Sequence, residues 1–251
     1  MIGGFNPGRV SIVSAHTGFG KTNLALNLAI RAAKTMTVGI VNMEMIDTDI
    51  MDRLFAIESR KTHDQVAKGD VDWSHMIDFF SNDIPKKMFF TDGKNLSINE
   101  IYSYAYRLKK DKNLSILFLD YDQKIDLHLD NRTPEWKALQ LAVHAIESMA
   151  KELNIHVLML SQASDEGTPS GSKRSMYPTS VVLWFTKDIK GEKFILRPIK
   201  NRFGPTSMSI DLEYKPEMSL IYEKGLYDHN QSAIRPFGGT RENSGRKPSL
   251  F

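Results

Sequence analysis

The chain has 251 residues, 41% of them hydrophobic, and a formal net charge of +3, which suits one α/β domain with a sizeable core and excludes a polycation, so nucleic-acid contacts must come from local patches. It has no cysteine, which removes disulfides and thiolate metal sites and fits a reducing cytoplasm. There is no run of eighteen apolar residues, and the start MIGGFNPGRV has neither a basic n-region nor an apolar h-region, which excludes a helical membrane span and a secretory signal.

Residues 9–14 (RVSIVS) read as a short buried strand, and 20–34 as a helix with Leu24, Leu28 and Ala32 on one face. A second strand is expected over 37–43 and a second helix over 46–59. The polar stretch 60–85 reads as a surface excursion with short helical pieces, and residues 87–90 as a brief strand. A helix over 97–110 starts at Ser97 with Glu100 three residues on, a capping-box pattern. Residues 114–120 (LSILFLD) are almost continuously apolar, as a strand buried on both faces should be. The next helix has Thr133 as cap and Pro134 in its first turn. Trp136, Leu139, Val143, Ile146, Ala150 and Leu153 then recur at helical spacing. A strand over 155–160 follows. This alternation predicts a parallel sheet covered on both sides. Residues 181–186, 193–199, 207–213 and 219–222 read as strands only, expected as antiparallel additions at the sheet edge. From about 226 the chain is rich in Gly, Ser, Asn and Arg, the composition of a disordered, basic tail, so the division is a domain over 1–225 and a tail over 226–251.

Between the first strand and the first helix stands Ala15-His16-Thr17-Gly18-Phe19-Gly20-Lys21-Thr22. Backbone N–H groups of such a loop, with the helix N-terminus behind them, cradle phosphate oxygens. Lys21 would reach the β- and γ-phosphates of ATP and the Thr22 hydroxyl would ligate Mg²⁺. Ala15 stands where the general pattern asks for Gly, and His16 reads as a packing residue of the loop. An acid at the end of a neighbouring strand is needed to hold the metal through water. Asp120 has the right apolar run before it, and Asp122 is the competitor. A carboxylate that orients the attacking water is also required, and Glu44, ending its strand, is the candidate. Gln162, at the end of LMLSQ, is a polar group able to sense the γ-phosphate.

In this order the motifs resemble the C-terminal ATPase domain of DnaB-type replicative helicases, within the RecA-like superfamily. The family's P-loop also starts with Ala, like Ala15. Its S-L-E-M resembles Asn42-Met43-Glu44-Met45, its I-D-Y-L-Q resembles Leu119-Asp120-Tyr121-Asp122-Gln123, and its A-K-E-L-N followed by L-S-Q resembles Ala150–Asn154 with Leu160-Ser161-Gln162. Its K-x-R-x-G is similar to Lys200-Asn201-Arg202-Phe203-Gly204. The resemblance covers about residues 3–223. It implies a RecA-like P-loop ATPase core, an α/β fold with a mostly parallel sheet flanked by helices and antiparallel strands at the C-terminal edge.

It also implies that Glu44 is the catalytic carboxylate and that Arg202 is an arginine finger acting in trans on a neighbour's ATP, with Lys200 beside it. Family members form six-membered rings around single-stranded DNA. The family's N-terminal domain and linker helix have no counterpart in this reading, its acidic signature is replaced by residues 173–180, and Asp122 stands where the family has an apolar residue.

In this fold the loops after the Asp120 and Gln162 strands face the DNA. They fall at about 124–134, with Lys124 and Arg132, and at 163–178, where Gly171, Ser172, Lys173 and Arg174 suit backbone and cationic contacts with phosphates. The tail carries Arg241, Arg246 and Lys247 against Glu242, adding salt-sensitive DNA affinity, and its end KPSLF resembles the short motif that binds the bacterial sliding clamp. The leading reading is an ATP-driven DNA helicase motor acting in replication, in the cytoplasm of a bacterial or phage-infected cell. The alternative is a RecA-like DNA-binding ATPase of recombination or helicase loading that does not unwind. A third is an interaction subunit that binds ATP but hardly hydrolyses it.

Overall fold

The computed structural model describes residues 4–43, 45, 47–81, 86–92, 96–120, 135–163, 179–188 and 193–224. Among these, the strands in chain order are β1 (Arg9–Ala15), β2 (Thr37–Asn42), β3 (Met88–Asp92), β4 (Leu114–Asp120), β5 (His156–Gln162), β6 (Val181–Lys187), β7 (Phe194–Asn201), β8 (Ile210–Lys215) and β9 (Leu220–Glu223). They form one sheet in the order β3-β2-β4-β5-β1-β6-β7-β8-β9. The helices are α1 (Lys21–Ala33), α2 (Asp47–Ser59), α3 (His63–Ala67), α4 (Trp73–Ser81), α5 (Ile98–Lys112) and α6 (Glu135–Leu153).

Side chains that alternate along each strand feed two cores. Val13, Ile40, Phe118 and Leu160 face α1 and α2, meeting Leu24, Leu28, Ile50 and Leu54. Ile12, Val41, Leu119 and Met159 face α5 and α6, meeting Ile101, Ala105, Val143, Ile146 and Ala150. LSILFLD is buried on both faces, as its composition demands. The expected capping box is present at α5: the Ser97 hydroxyl accepts from the Glu100 N–H at 3.3 Å, and the Glu100 carboxylate accepts from the Ser97 N–H at 2.8 Å.

Two expectations are corrected. The stretch 60–85 is not all surface: it holds α3 and α4, and Met76 and Phe79 of α4 are buried while Trp73 and Ile77 are exposed. Two buried apolar side chains in one nine-residue helix, and none in α3, are too few to register as periodicity. Strand β6 is not antiparallel. It pairs in parallel with β1, Ser11 opposite Val181 and Ala15 opposite Phe185, and antiparallel pairing starts only with β7. A parallel neighbour needs a crossover of a dozen residues or more, and the chain between Gln162 and Val181 supplies that length without a helical pattern to advertise it.

The C-terminal strands are tied back to the first helix. Asn27 of α1 donates through Nδ2 to the Ser219 carbonyl at 2.8 Å and accepts the Ile221 N–H on Oδ1 at 3.2 Å, so a buried helix side chain takes the place of a strand neighbour for β9.

His156 opens β5 at 2% exposure, against the ring of Phe5, with Nδ1 donating to the Asn6 carbonyl at 2.9 Å. Burial lowers its pKa to about 4, against a smaller opposing effect of the Asn6 bond. The native state therefore keeps this imidazole neutral where the unfolded chain protonates it. Its contribution is complete above about pH 6.5 and is lost as pH falls towards 4, about 3 kcal/mol in all. Urea unfolding at pH 7.5, 5.5 and 4 should show this slope in the wild type and a flatter one in His156→Phe. Equal slopes would count against the assignment.

Candidate nucleotide-binding site

Strands β1, β4 and β5 end at the same edge of the sheet. Ala15 is level with Gln162, and Asp120 with Leu160. The crevice beyond such carboxyl ends is where α/β sheets hold ligands. From Ala15 the chain turns into α1. The His16 carbonyl accepts the Phe19 N–H at 3.2 Å, and Gly18 and Gly20 have φ of 80° and 84°, left-handed values that favour glycine. Gly20 is the N-cap of α1 and supplies no side chain, and the first turn has no acidic residue. The helix start thus presents backbone N–H groups and the positive end of its dipole with no carboxylate competing for them.

Several side chains singled out in the sequence meet here. The Thr22 hydroxyl donates to Asp120 Oδ2 at 2.7 Å, and Lys21 Nζ lies 3.9 Å from Asp120 Oδ1. Asp120 is only 4% exposed. Gln162 Nε2 donates to the Thr17 hydroxyl, and the Ala163 N–H donates to the Ala15 carbonyl at 2.8 Å, so the end of β5 is fastened to the loop. His16 packs edge-on to Phe19 and Trp184, at 5.5 and 6.2 Å between ring centres, and the Arg197 guanidinium lies 4.5 Å over Trp184.

A cavity of about 390 Å³ opens above the loop and runs from Thr17, Gly18 and Lys21 to Arg53, His63 and Tyr214. The last three carried no signal in the sequence. Arg53 falls inside the helix expected over 46–59, and Tyr214 just past the strand expected over 207–213. In the fold Tyr214 of β8 lies directly on Gly20: a Cβ at that glycine would stand 2.7 Å from the tyrosine Cζ. The Tyr214 hydroxyl accepts from Asn23 Nδ2 at 2.7 Å, and Arg53 donates to Asn23 Oδ1. Phe194 meets Tyr214 edge-on at 5.3 Å, and His63 Nε2 lies 3.0 Å from the Ser219 hydroxyl.

Other expected residues do not join this cluster. Lys200 stands opposite Val182, and the Arg202 N–H donates to the Ser180 carbonyl at 3.0 Å, so both lie at the far end of the sheet. Along β6, Ser180 is about 16 Å from Phe185, the neighbour of Ala15, at about 3.3 Å per residue. Burial lowers the Lys200 pKa, Arg202 adds to the effect, and Glu147 opposes it. Glu44 lies outside the described residues; just beside it, Asn42 Oδ1 accepts the Met45 N–H at 3.1 Å. Gly171, Ser172, Lys173 and Arg174 also lie outside them, as do Asp122, the stretch 124–134 and the tail.

Fold and site together define a P-loop domain of the RecA-like class. The family model of the DnaB-like helicase C-terminal domain matches residues 1–178, and the chain belongs to that family.

Among curated relatives, the replicative DNA helicase DnaB of Nostoc sp. is 28% identical over 183 residues, covering 70% of this chain and 20% of that protein. That of Treponema pallidum is 24% identical over 229 residues, covering 86% and 52%. That of Rickettsia prowazekii is 32% identical over 178 residues, covering 64% and 36%. The chain thus spans about half the length of these relatives, or less.

Among solved structures, an ATPase domain determined on its own superposes with a TM-score of 0.77 at 20% identity, covering 87% of this chain and 85% of that one. A DnaB-like replicative helicase, solved to describe its interactions with primase, gives 0.76 at 18% identity, covering 87% and 58%. Among the described residues no helix is long and apolar enough to cross a membrane.

Proposed function

We propose that this chain is the ATP-hydrolysing motor of a DnaB-like replicative helicase and that it moves along single-stranded DNA. One observation carries the reading: the phosphate loop and Arg202 stand at opposite ends of one sheet. A single copy cannot bring its own Arg202 to its own phosphates. Copies stacked head to tail can, and a head-to-tail contact that closes gives a ring. A six-membered ring with the DNA at its centre is what the family resemblance implies.

Within each site, the backbone of Ala15–Thr22 and the start of α1 bind the phosphates, and Lys21 sets a positive charge beside them. Thr22 and Asp120 would hold Mg²⁺; a hydroxyl and a carboxylate 2.7 Å apart are the oxygen donors such a hard cation takes. When bound, the metal supplies neutralisation of charge on the phosphate oxygens. Glu44 orients the attacking water and takes its proton. The water oxygen then bonds to the γ-phosphorus while the bond to the bridging oxygen breaks, releasing ADP and phosphate. Arg202 of a neighbouring copy, with Lys200 beside it, neutralises charge on the transferred group. Gln162, bonded to Thr17, carries the phosphate state to the strand that leads into 163–178. The planar faces of Arg53 and Tyr214 suit the nucleoside end of the cavity.

Gly171, Ser172, Lys173 and Arg174 are the proposed DNA contacts. The domain is taken to end near 225, with the basic tail beyond it adding DNA affinity or engaging a sliding clamp in the cytoplasm of a bacterial or phage-infected cell. The test is ATP hydrolysis with and without single-stranded DNA. We expect several-fold stimulation in the wild type and little in Lys173→Ala/Arg174→Ala, with a steep loss of stimulation at higher salt. A rate indifferent to DNA would sink the motor reading. Hydrolysis that responds to DNA without unwinding a forked duplex would favour the RecA-like alternative.

A further inference from the structure

At the end of β7 the chain turns through residues 201–205, and one side chain closes that turn. Asn201 Oδ1 accepts the Phe203 N–H at 2.9 Å, and Asn201 Nδ2 donates to the Pro205 carbonyl at 3.3 Å. The backbone bond from Arg202 to Ser180, at 3.0 Å, fixes the turn to the start of β6. Asparagine suits this work because its amide both accepts and donates. Arg202 and Phe203 follow one another at the tip, and Phe203 is 46% exposed. One exposed apolar side chain is ordinary. A ring held by a clamped turn beside a guanidinium, at the end of the sheet remote from the phosphate loop, is a specific arrangement.

We propose that Phe203 is the apolar anchor by which this end of the sheet docks on a second copy of the chain, with Asn201 holding it beside Arg202. The inference rests on the head-to-tail reading above and names the surface that reading needs. The occupant follows from charge and place. Arg202 is complementary to a phosphate cavity, and the cavity of its own chain is at the wrong end of the sheet. A contact between unlike ends of identical molecules is heterologous, so a second copy supplies the partner surface. Whatever surface receives Arg202 also meets Phe203, since one clamp holds both. Aromatic rings and arginines at interface centres carry much of the binding. Here the ring supplies docking and the guanidinium supplies chemistry.

The experiment follows ATP hydrolysis and sedimentation of the full chain against protein concentration, with ATP or a non-hydrolysable analogue and single-stranded DNA present. Phe203→Ala should raise the protein concentration for half-maximal activity by roughly tenfold or more. At saturating protein its rate should approach that of the wild type. Phe203→Leu, which keeps an apolar side chain, should recover most of the midpoint, as a merely local packing fault would not predict. Arg202→Ala should do the reverse, keeping the sedimentation midpoint and losing the rate. Asn201→Ala should worsen both. Asn201→Asp, which still accepts from Phe203 but cannot donate to Pro205, should restore part. An unchanged midpoint in Phe203→Ala overturns the anchor, even with Arg202→Ala inactive. A fully active Arg202→Ala overturns the head-to-tail reading instead, so the two failures appear in different variants.

Discussion

Replacing Arg202 by alanine is expected to lower ATP hydrolysis by about a thousandfold, the usual scale for a removed arginine finger. Nucleotide affinity should stay within about twofold, because each chain keeps its own phosphate cradle and Lys21, and a finger acts chiefly on the charge that develops during transfer. Lys21→Ala should be equally inactive for a different reason, since it loses the charge next to Asp120 and the phosphates. Glu44→Gln should bind nucleotide and fail to cleave it. The decisive form of the experiment mixes the two inactive chains, Lys21→Ala and Arg202→Ala. Each supplies what the other lacks, so random head-to-tail assembly of equal amounts should recover roughly a quarter of wild-type activity. Two inactive proteins that stay inactive when mixed would rule out a site shared between copies.

The second large effect belongs to Gly20. Alanine there meets two obstacles: a φ of 84°, costing about 1 kcal/mol for a residue with a Cβ, and the ring of Tyr214, with Cζ only 2.7 Å from that Cβ. Either the loop or the tyrosine must move. A shift of about 1 Å in a phosphate-positioning loop is enough to weaken its function about a hundredfold. Binding of a fluorescent ATP analogue should fall by that order in Gly20→Ala and by much less in Tyr214→Ala. The double variant should recover about tenfold over Gly20→Ala, because the collision is gone while the backbone strain stays. A double variant as weak as Gly20→Ala would show that the ring is not the obstacle.

The parts of this molecule that the sequence reveals are those decided locally. Residues 114–120 gave the strand with its correct ends, because a segment buried on both faces has to be apolar throughout. Ser97 and Glu100 marked the start of α5 because a capping box is made by residues three apart. The Gly18–Gly20 turn and Lys21-Thr22 were legible for the same reason. The choice of Asp120 over Asp122 rested on the apolar run before Asp120 and on Asp122 falling past the strand end, on the other side, and the fold sets Asp120 against Thr22.

What stayed hidden depends on distant partners. Nothing near Tyr214 says that it lies on Gly20, and nothing near Arg53 says that it reaches Asn23. The parallel sense of β6 follows from where a long connection lands, which no pattern inside VVLWFTK encodes. The family resemblance gave Arg202 its proposed partner, the ATP of a neighbouring copy, and the fold sets Arg202 at the end of the sheet remote from its own phosphate loop.

The tie between Asn27 and the turn before β9 also bears on how the protein is made. Strand β1 is synthesised first, yet its hydrogen-bonding neighbours are residues 156–162 and 181–185, and Asn27 waits for residues 219–221. The phosphate loop gains its cover from Tyr214 later still than its two flanking strands. At about 5–20 residues per second, translation leaves the loop on the order of ten seconds or more without its final neighbours. Such long-range pairings also fold slowly. A nascent chain halted near residue 178 would carry Ala15–Thr22 and Asp120 but lack β6 to β9, and with them Tyr214 and the tie to Asn27. The neighbours that hold the loop in place therefore come from chain made well over a hundred residues after the loop itself.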